Sequence, residues 1–161
     1  MTPYKILFLC TGNSARSIFA EYLMRELAPD RFESFSAGSN PGGEVNPMSL
    51  RVLKEYFDID AGKARSKSWE EFMEDDVHFD FVVTVCDHAR ETCPVWPGQP
   101  VSAHWGSDDP AAFEGTDEEK QRFFYQVAMQ IKHRLELFLS LPIETLDRAR
   151  LEQKTREIGD R

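Results

Sequence analysis

The hydrophobic and polar positions of the chain alternate between short apolar runs and longer segments of helical period. Residues 4–9 (YKILFL) are nearly all apolar, which is typical of a strand buried on both faces of a parallel sheet. Residues 18–27 (IFAEYLMREL) repeat their apolar side chains at helical spacing, and the pattern ends before Pro29. The chain is therefore predicted to begin with a strand followed by a helix.

The same alternation continues to about residue 141. We expect further strands at residues 32–37, 79–85 and 100–104, and helices at residues 47–57, 69–76 and 118–141. Asn46 is placed to cap the second helix, Pro47 suits its first position, and Ser68 can cap the short third helix. This order predicts an α/β fold, a three-layer sandwich with a central four-stranded parallel sheet.

The last residues have a different composition. Residues 140–161 carry ten charged side chains of balanced sign and few apolar ones. We therefore predict one domain over residues 1–141 and a charged C-terminal tail over residues 142–161. The tail is expected to be a solvated helix or a frayed end without chemistry.

Length and composition fit one folded domain. The chain has 161 residues, of which 41% are hydrophobic, and no run approaches the roughly 20 apolar residues of a membrane span. No secretory leader is evident, so we expect a cytoplasmic protein that does not bind membranes. The net charge of −9 argues against binding nucleic acid, whose phosphates such a surface repels.

The chain contains three cysteines: Cys10, Cys86 and Cys93. Their odd number and spacing do not suggest a structural disulfide framework. There is no Cys-x-x-Cys pair, and the four histidines show no ligand spacing, so we predict neither a metal nor a cofactor. The thiols are then either buried and inert or reactive.

Residues 8–17 (FLCTGNSARS) combine the first predicted strand, a loop of small residues and the start of a helix. Gly12 permits a tight turn, and the small side chains let backbone N–H groups converge at the positive end of the helix. Such a loop can bind an oxyanion. The candidate binding residues are Thr11, Gly12, Asn13, Ser14, Ala15, Arg16 and Ser17.

Cys10 and Arg16 carry the candidate chemistry of this loop. Arg16 can make a bidentate contact to two oxygens of a tetrahedral anion. Cys10 is expected at the bottom of the loop, where positive potential would lower its pKa and Ser17 could donate to the sulfur. The alternative is a buried core thiol and a surface arginine, since a Cys-x5-Arg spacing alone is weak evidence.

The sequence CTGNSARS at residues 10–17, followed by SAGS at residues 36–39, resembles the active-site loop of the low-molecular-weight protein tyrosine phosphatase family. Within that fold it is most similar to the arsenate reductases, over about residues 4–141. The resemblance implies that Asp109, in the stretch SDDPAA, is a general acid on a mobile loop, although Asp108 could take this role. Ala111 and Ala112 stand where the tyrosine phosphatases usually have an aromatic residue, which counts against a phosphotyrosine substrate.

Cys86 and Cys93 lie in the stretch TVCDHARETCP. Cys86 ends a predicted buried strand, as Cys10 does, so both can lie at the same edge of a parallel sheet. A helix from residue 86 to 93 would separate the two later cysteines by about 10.5 Å, too far for a disulfide unless the segment unwinds. Cys86 could equally be a small buried hydrophobe.

The pattern TVCD…CP resembles the arsenate reductases that use a cysteine triad. It implies reduction of arsenate to arsenite in arsenic detoxification, by a disulfide relay from Cys10 through Cys86 and Cys93 to a thioredoxin-type reductant. Glutaredoxin with glutathione, or another small thiol, would need only Cys10 and an external thiol. A phosphatase would use Cys10, Arg16 and Asp109 alone, and a non-catalytic oxyanion sensor would need no nucleophile.

Two departures from relatives of this fold affect the loop. Ala15 stands where many relatives have a second loop cysteine, so a disulfide within the loop is excluded. Some relatives hold a potassium ion at residues that match Asn13, Glu21 and Ser36, but residues 62–68 do not supply the remaining ligands convincingly. We therefore expect Asn13 to lock the loop by hydrogen bonds and Glu21 to be an ordinary carboxylate on a helix face.

Overall fold

The computed structural model describes residues 2–161 and contains one four-stranded parallel sheet. Its strands are β1 (Tyr4–Cys10), β2 (Phe32–Gly38), β3 (Phe81–Thr84) and β4 (Val101–His104), in the spatial order β2-β1-β3-β4. The helices are α1 (Arg16–Leu27), α2 (Pro47–Phe57), α3 (Glu70–Glu74), α4 (Asp87–Thr92), α5 (Asp117–Leu139) and α6 (Arg148–Ile158). The predicted fold class is confirmed.

Local capping explains where several helices begin. Asn46 accepts a hydrogen bond from the N–H of Met48 and caps α2, with Pro47 at the first helical position. Thr116 and Glu119 form a capping box at the start of α5. No helix within residues 2–161 is long and apolar enough to cross a membrane.

The sheet is covered on both faces, because alternate residues of its strands point to opposite sides. Phe32 of β2 packs against Phe138 of α5, with ring centroids 5.5 Å apart. Phe35 of the same strand contacts Phe72 of α3 on the other side, also at 5.5 Å. These contacts form the two helical layers of the sandwich.

The strand register brings three chain segments to one edge of the sheet. Leu9 of β1 pairs with Ala37 of β2 on one side and with Thr84 of β3 on the other. The segments that follow all three strands therefore start at the same edge. Gly38 allows the closest approach there, because a Cβ on this residue would lie only 2.4 Å from the carbonyl oxygen of Thr11.

The C-terminal segment forms a helix, as one of the two expectations stated, but this helix is packed on the domain and is not simply solvated. Helix α6 buries Leu151, Thr155 and Ile158, which recur at helical spacing among the charged residues. The indole N–H of Trp105 donates to the carbonyl oxygen of Thr155 over 2.9 Å. A division of the chain at residue 141 stays a prediction.

Helix α6 also covers the free edge of β4. The N–H of Ser102 donates to the Glu152 carboxylate over 3.4 Å, and Arg156 Nε donates to the carbonyl oxygen of Ser102 over 3.1 Å. Side chains of α6 thus form hydrogen bonds with the N–H and the carbonyl oxygen of Ser102. An uncovered edge strand would leave these backbone groups free to pair with another chain.

Candidate active site

Cys10 lies at the end of β1 and is only 3% exposed. Its sulfur accepts a hydrogen bond from the backbone N–H of Asn13 over 3.1 Å and lies 2.9 Å from the hydroxyl oxygen of Ser17. Residues 10–17 therefore wrap around the sulfur, with Ser17 in the first turn of α1. The predicted contact between Cys10 and Ser17 is present.

Asn13 holds the loop from its centre. It is fully buried and has a φ of 49°, a left-handed conformation that asparagine tolerates better than most residues. Its side-chain amide donates to Ser17 Oγ over 2.8 Å and to Ser36 Oγ over 3.0 Å, and accepts from the N–H of Lys67 over 2.9 Å. These bonds fix the shape of the loop to α1, β2 and the segment before α3.

The loop carbonyls point away from its centre. Ser66 Oγ donates to the carbonyl oxygen of Gly12 over 2.8 Å, and Ser49 Oγ donates to that of Ser14 over 2.9 Å. Within residues 2–161, the backbone N–H groups of Gly12 and Ser14 donate to no other protein group. These N–H groups, together with the start of α1, are available to an anion.

Arg16 connects the loop to the segment that carries Asp109. Its Nη1 donates to the carbonyl oxygen of Ser107 over 3.0 Å, and its Nη2 lies 3.8 Å from Asp109 Oδ2. The other oxygen of Asp109 accepts from the N–H of Ala111 over 3.0 Å, so this carboxylate also caps a short 3-10 turn. Asp108 lies beside Asp109 in the sequence and lines a cavity of about 340 Å³ together with Arg16 and Asp87.

Burial raises the pKa of the Cys10 thiol, and this outweighs the groups that lower it. Hydrogen bonds from Ser17 act in the lowering direction, followed by the charge of Arg16 and the N–H of Asn13. The expectation that the loop would give Cys10 a lowered pKa was therefore wrong in its net direction. The groups expected to stabilise a thiolate are all in place, but the sulfur is more deeply buried than the sequence indicated.

Cys86 follows β3 and caps the start of α4. Its sulfur accepts from the N–H of Ala89 over 3.5 Å and lies 3.2 Å from the hydroxyl oxygen of Thr11. Because Thr11 follows Cys10 directly, Cys86 lies on the rim of the oxyanion loop. The structure thus brings Cys10 and Cys86 to the same edge of the sheet.

Cys93 is not brought to the other two cysteines. It follows α4, is partly exposed, and its thiol lies 3.6 Å from the carbonyl oxygen of Pro94. Burial also raises the pKa of Cys93. All three cysteines are free thiols, and the helix between Cys86 and Cys93 must unwind before they can bond.

A buried charged group behind the loop was not anticipated. Glu21 is only 5% exposed, accepts from Ser36 Oγ over 2.5 Å, and pairs with Arg25. Lys67 is a second positively charged side chain near Glu21. Its Nζ lies 4.0 Å from Glu21 Oε1 and 3.4 Å from Asn13 Oδ1. Glu21 is therefore not an ordinary helix-face carboxylate, and that expectation was wrong.

The family resemblance contained a partial signal for this group, because it grouped Glu21 with Asn13 and Ser36 and considered residues 62–68, which include Lys67. Burial lowers the pKa of Lys67, and the neighbouring Glu21 carboxylate opposes that shift. Within the part of the chain that the structure describes, no group of three or more His, Cys, Asp or Glu side chains is arranged to hold a metal ion.

Comparison with known proteins agrees with this geometry. Residues 5–154 match the low molecular weight phosphotyrosine protein phosphatase family, and the chain belongs to this family. The resemblance drawn from residues 10–17 is thereby confirmed.

Arsenate reductases are among the similar proteins of this family. The chain is 41% identical over 138 residues to an arsenate reductase of Halalkalibacterium halodurans, covering 86% of this chain and 96% of that protein. A solved arsenate reductase in the phosphate-binding state is 26% identical with a TM-score of 0.66, covering 83% and 94% of the two chains. A thioredoxin-dependent arsenate reductase of Corynebacterium glutamicum is 27% identical with a TM-score of 0.62, covering 89% and 64%.

Proposed function

We propose that this protein reduces arsenate to arsenite by a relay of three cysteines. The observation that carries the proposal is that Cys86 lies on the rim of the loop that holds Cys10, with a third free thiol seven residues later. A phosphatase of this fold needs only the first of these thiols. The arsenate reductases to which the chain is similar support the same choice of substrate.

In the first step, the N–H groups of the loop and the guanidinium of Arg16 bind the arsenate oxygens. Cys10 transfers its thiol proton to an oxygen of the bound arsenate dianion, and the resulting thiolate attacks arsenic and forms a sulfur–arsenic bond. One arsenate oxygen leaves as water, for which Asp109 supplies a proton. The distance of 3.8 Å between Arg16 Nη2 and Asp109 Oδ2 supports this role for Asp109.

In the second step, the Cys86 thiolate attacks the sulfur of Cys10. A Cys10–Cys86 disulfide forms, the sulfur–arsenic bond breaks, and its electron pair stays on arsenic, which leaves as arsenite. Cys93 then attacks Cys86, which releases Cys10 and leaves a Cys86–Cys93 disulfide on the unwound α4 segment. Two thiols have supplied the two electrons that the reduction consumes.

A thioredoxin-type dithiol is the proposed reductant of the Cys86–Cys93 disulfide. The exposed position of the segment around Cys93 supports this, because the partner's thiolate must reach one of the two sulfurs. Glutaredoxin with glutathione is the alternative reductant. The relay requires reduced thiols at rest, so we propose that the protein works in the cytoplasm.

A second activity is proposed on the same groups. The contacts of Cys10, Arg16 and Asp109 support hydrolysis of a phosphoester, and the family is that of the phosphotyrosine protein phosphatases. Aryl phosphates should therefore be hydrolysed slowly through a Cys10 phosphocysteine, without any use of Cys86 or Cys93.

Mass spectrometry of alkylated protein after one arsenate turnover tests the relay. Without a reductant, we expect a Cys86–Cys93 disulfide in the wild-type protein and a Cys10–Cys86 disulfide in Cys93→Ser. The variant should release one equivalent of arsenite and then stop, even with thioredoxin present. Undiminished multiple turnover by Cys93→Ser would remove Cys93 from the mechanism, and absence of both disulfides would contradict the relay as a whole.

A further inference from the structure

A hydrogen-bonded chain of three side chains joins the sheet to the helix between Cys86 and Cys93. Thr84 and His104 are paired across β3 and β4, and Thr84 Oγ1 lies 2.8 Å from His104 Nδ1. The other ring nitrogen, His104 Nε2, lies 2.9 Å from Oδ1 of Asp87. Asp87 is the first residue of α4 and directly follows Cys86.

The chemistry of Asp87 fixes the direction of one of these hydrogen bonds. An ionised carboxylate only accepts hydrogen bonds, so His104 Nε2 donates to Asp87. His104 Nδ1 shares the second hydrogen bond with the Thr84 hydroxyl, which also lies 3.5 Å from the carbonyl oxygen of Ala103. The His104 side chain is 19% exposed, whereas that of Asp87 is 87% exposed. The His104 imidazole is therefore fixed on the sheet, and its hydrogen bond fixes the Asp87 carboxylate, which is otherwise exposed to solvent.

The two ends of α4 are held unequally. At the N-terminal end, Cys86 contacts Thr11 and caps the helix through the N–H of Ala89, and Asp87 is bonded to His104. At the other end, the Thr92 hydroxyl donates to the carbonyl oxygen of His88, which belongs to the same short helix. The segment should therefore unwind from its Cys93 end and keep its first turn in place.

We propose that His104 is a positioning residue for Cys86. Through Asp87 it keeps the first turn of α4 on the sheet edge, so that the sulfur of Cys86 stays beside Cys10 while the Cys93 end is free to move. Cys10 is the last residue of β1, and Cys86 lies two residues beyond the end of the adjacent parallel strand β3. This role deepens the proposed relay and rests on it.

The test measures how readily Cys10 and Cys86 form a disulfide when no arsenate is present. In a Cys93→Ser background, the protein is equilibrated with oxidised and reduced glutathione. One oxidised glutathione accepts two electrons from the two thiols, giving the protein disulfide and two reduced glutathione molecules. The midpoint is the ratio of oxidised to reduced glutathione at which half of the protein is oxidised, and it gives the effective concentration of one thiol at the other. This measurement uses no arsenate, so it does not depend on whether the enzyme reduces arsenate.

His104→Asn keeps a polar group near Thr84 but is too short to reach Asp87, and Asp87→Ala removes the acceptor. Each should lower the effective concentration about tenfold, because one charge-assisted hydrogen bond is lost. The double variant should fall no further than either single variant, since both remove the same bond. His88→Asn is the matched control, an exposed histidine of α4, and should leave the value unchanged.

A second comparison separates positioning from general damage. Hydrolysis of an aryl phosphate depends on Cys10 and does not use Cys86, so His104→Asn should retain it while the arsenite released in a single turnover slows about tenfold. Equal glutathione midpoints in His104→Asn and its parent, or losses that add in the double variant, would overturn the proposal. If the wild-type protein released no arsenite but the midpoints shifted, the proposed function would fail and the positioning role would stand.

Discussion

Thr11 Oγ1 lies 3.2 Å from Cys86 Sγ, so the first residue after Cys10 contacts the second cysteine directly. This contact joins two parts of the chain that are 75 residues apart, the oxyanion loop and the start of α4. It exists because β1 and β3 are adjacent and parallel, which makes both strands end at the same edge. A nucleophile at the bottom of the loop thus has a second thiol at its rim.

Ser17→Ala should shift the reactivity of Cys10 to higher pH. The Ser17 hydroxyl lies 2.9 Å from the sulfur and acts to lower its pKa, so its removal adds to the raising effect of burial. At any pH near neutrality a smaller fraction of Cys10 is then thiolate. The rate of alkylation by iodoacetamide, followed by peptide mass spectrometry from pH 6 to 10, should rise later in the variant than in the wild-type protein.

Ser39→Ala is the control for this measurement. The Ser39 hydroxyl is buried without a hydrogen-bond partner within residues 2–161, and its backbone N–H bonds to the carbonyl oxygen of Cys10. Its profile should match that of the wild-type protein. An unshifted Ser17→Ala profile would contradict the role given to the Ser17 hydroxyl.

The raised pKa of Cys10 also affects stability. The folded thiol keeps its proton at a pH where the unfolded thiol loses it, so the free energy of unfolding should fall as the pH rises above about 9.

Glu21→Ala should destabilise the fold by about 3 kcal/mol. The Glu21 side chain is 6% exposed and lies 4.0 Å from Lys67, which is itself only 11% exposed, so the variant leaves a buried cation and the Ser36 hydroxyl without their partner. Urea unfolding measures the change. Glu26→Ala, an exposed position of the same helix, should change the free energy of unfolding by less than about 0.5 kcal/mol. Similar effects of the two variants would show that the buried pair adds no stability.

Leu151→Ala should lower the stability of the whole domain by about 2 to 3 kcal/mol. Leu151 is 8% exposed, and α6 lies against β4, so the lost contacts belong to the common core. Tryptophan fluorescence and far-ultraviolet circular dichroism should report one shared transition in urea, moved to lower concentration. Lys154→Ala, on the solvated side of α6, should leave the midpoint within error. An unchanged midpoint for Leu151→Ala would indicate that the tail is independent of the domain.

The fold and the oxyanion loop were predictable because their signals are local. The apolar run of β1 and the small residues of the loop are read from consecutive positions, and the parallel order follows from alternating strands and helices. The packing of residues 142–161 was not predicted because its signal is not local. Three buried residues of α6 are separated by charged ones, and only the position of the helix over β4 shows which side is covered.

The resemblance grouped Asn13, Glu21 and Ser36, but the burial of Glu21 and its pairing with Lys67 could not be predicted from the sequence. Glu21, Ser36 and Lys67 come from three separate segments, and their mutual contacts depend on how α1, β2 and the segment before α3 meet. The net direction of the Cys10 pKa depends in the same way on the depth of burial. A pattern of residue types shows which groups stabilise a thiolate, but it does not show how much water is excluded.

Asp109→Asn should identify the proton donor. The substitution keeps the oxygen that caps the 3-10 turn but removes the acid beside Arg16, so hydrolysis of phenyl phosphate should fall about 100-fold or more. The loss should be smaller for p-nitrophenyl phosphate, because its better leaving group needs the proton less. Asp108→Asn is the matched control, since Asp108 is the adjacent carboxylate and lines a cavity with Arg16, and it should slow both substrates by no more than about fivefold. If the large, leaving-group-dependent loss appeared in Asp108→Asn instead, the acid would be Asp108, and equal small losses in both would mean that neither carboxyl group delivers the proton.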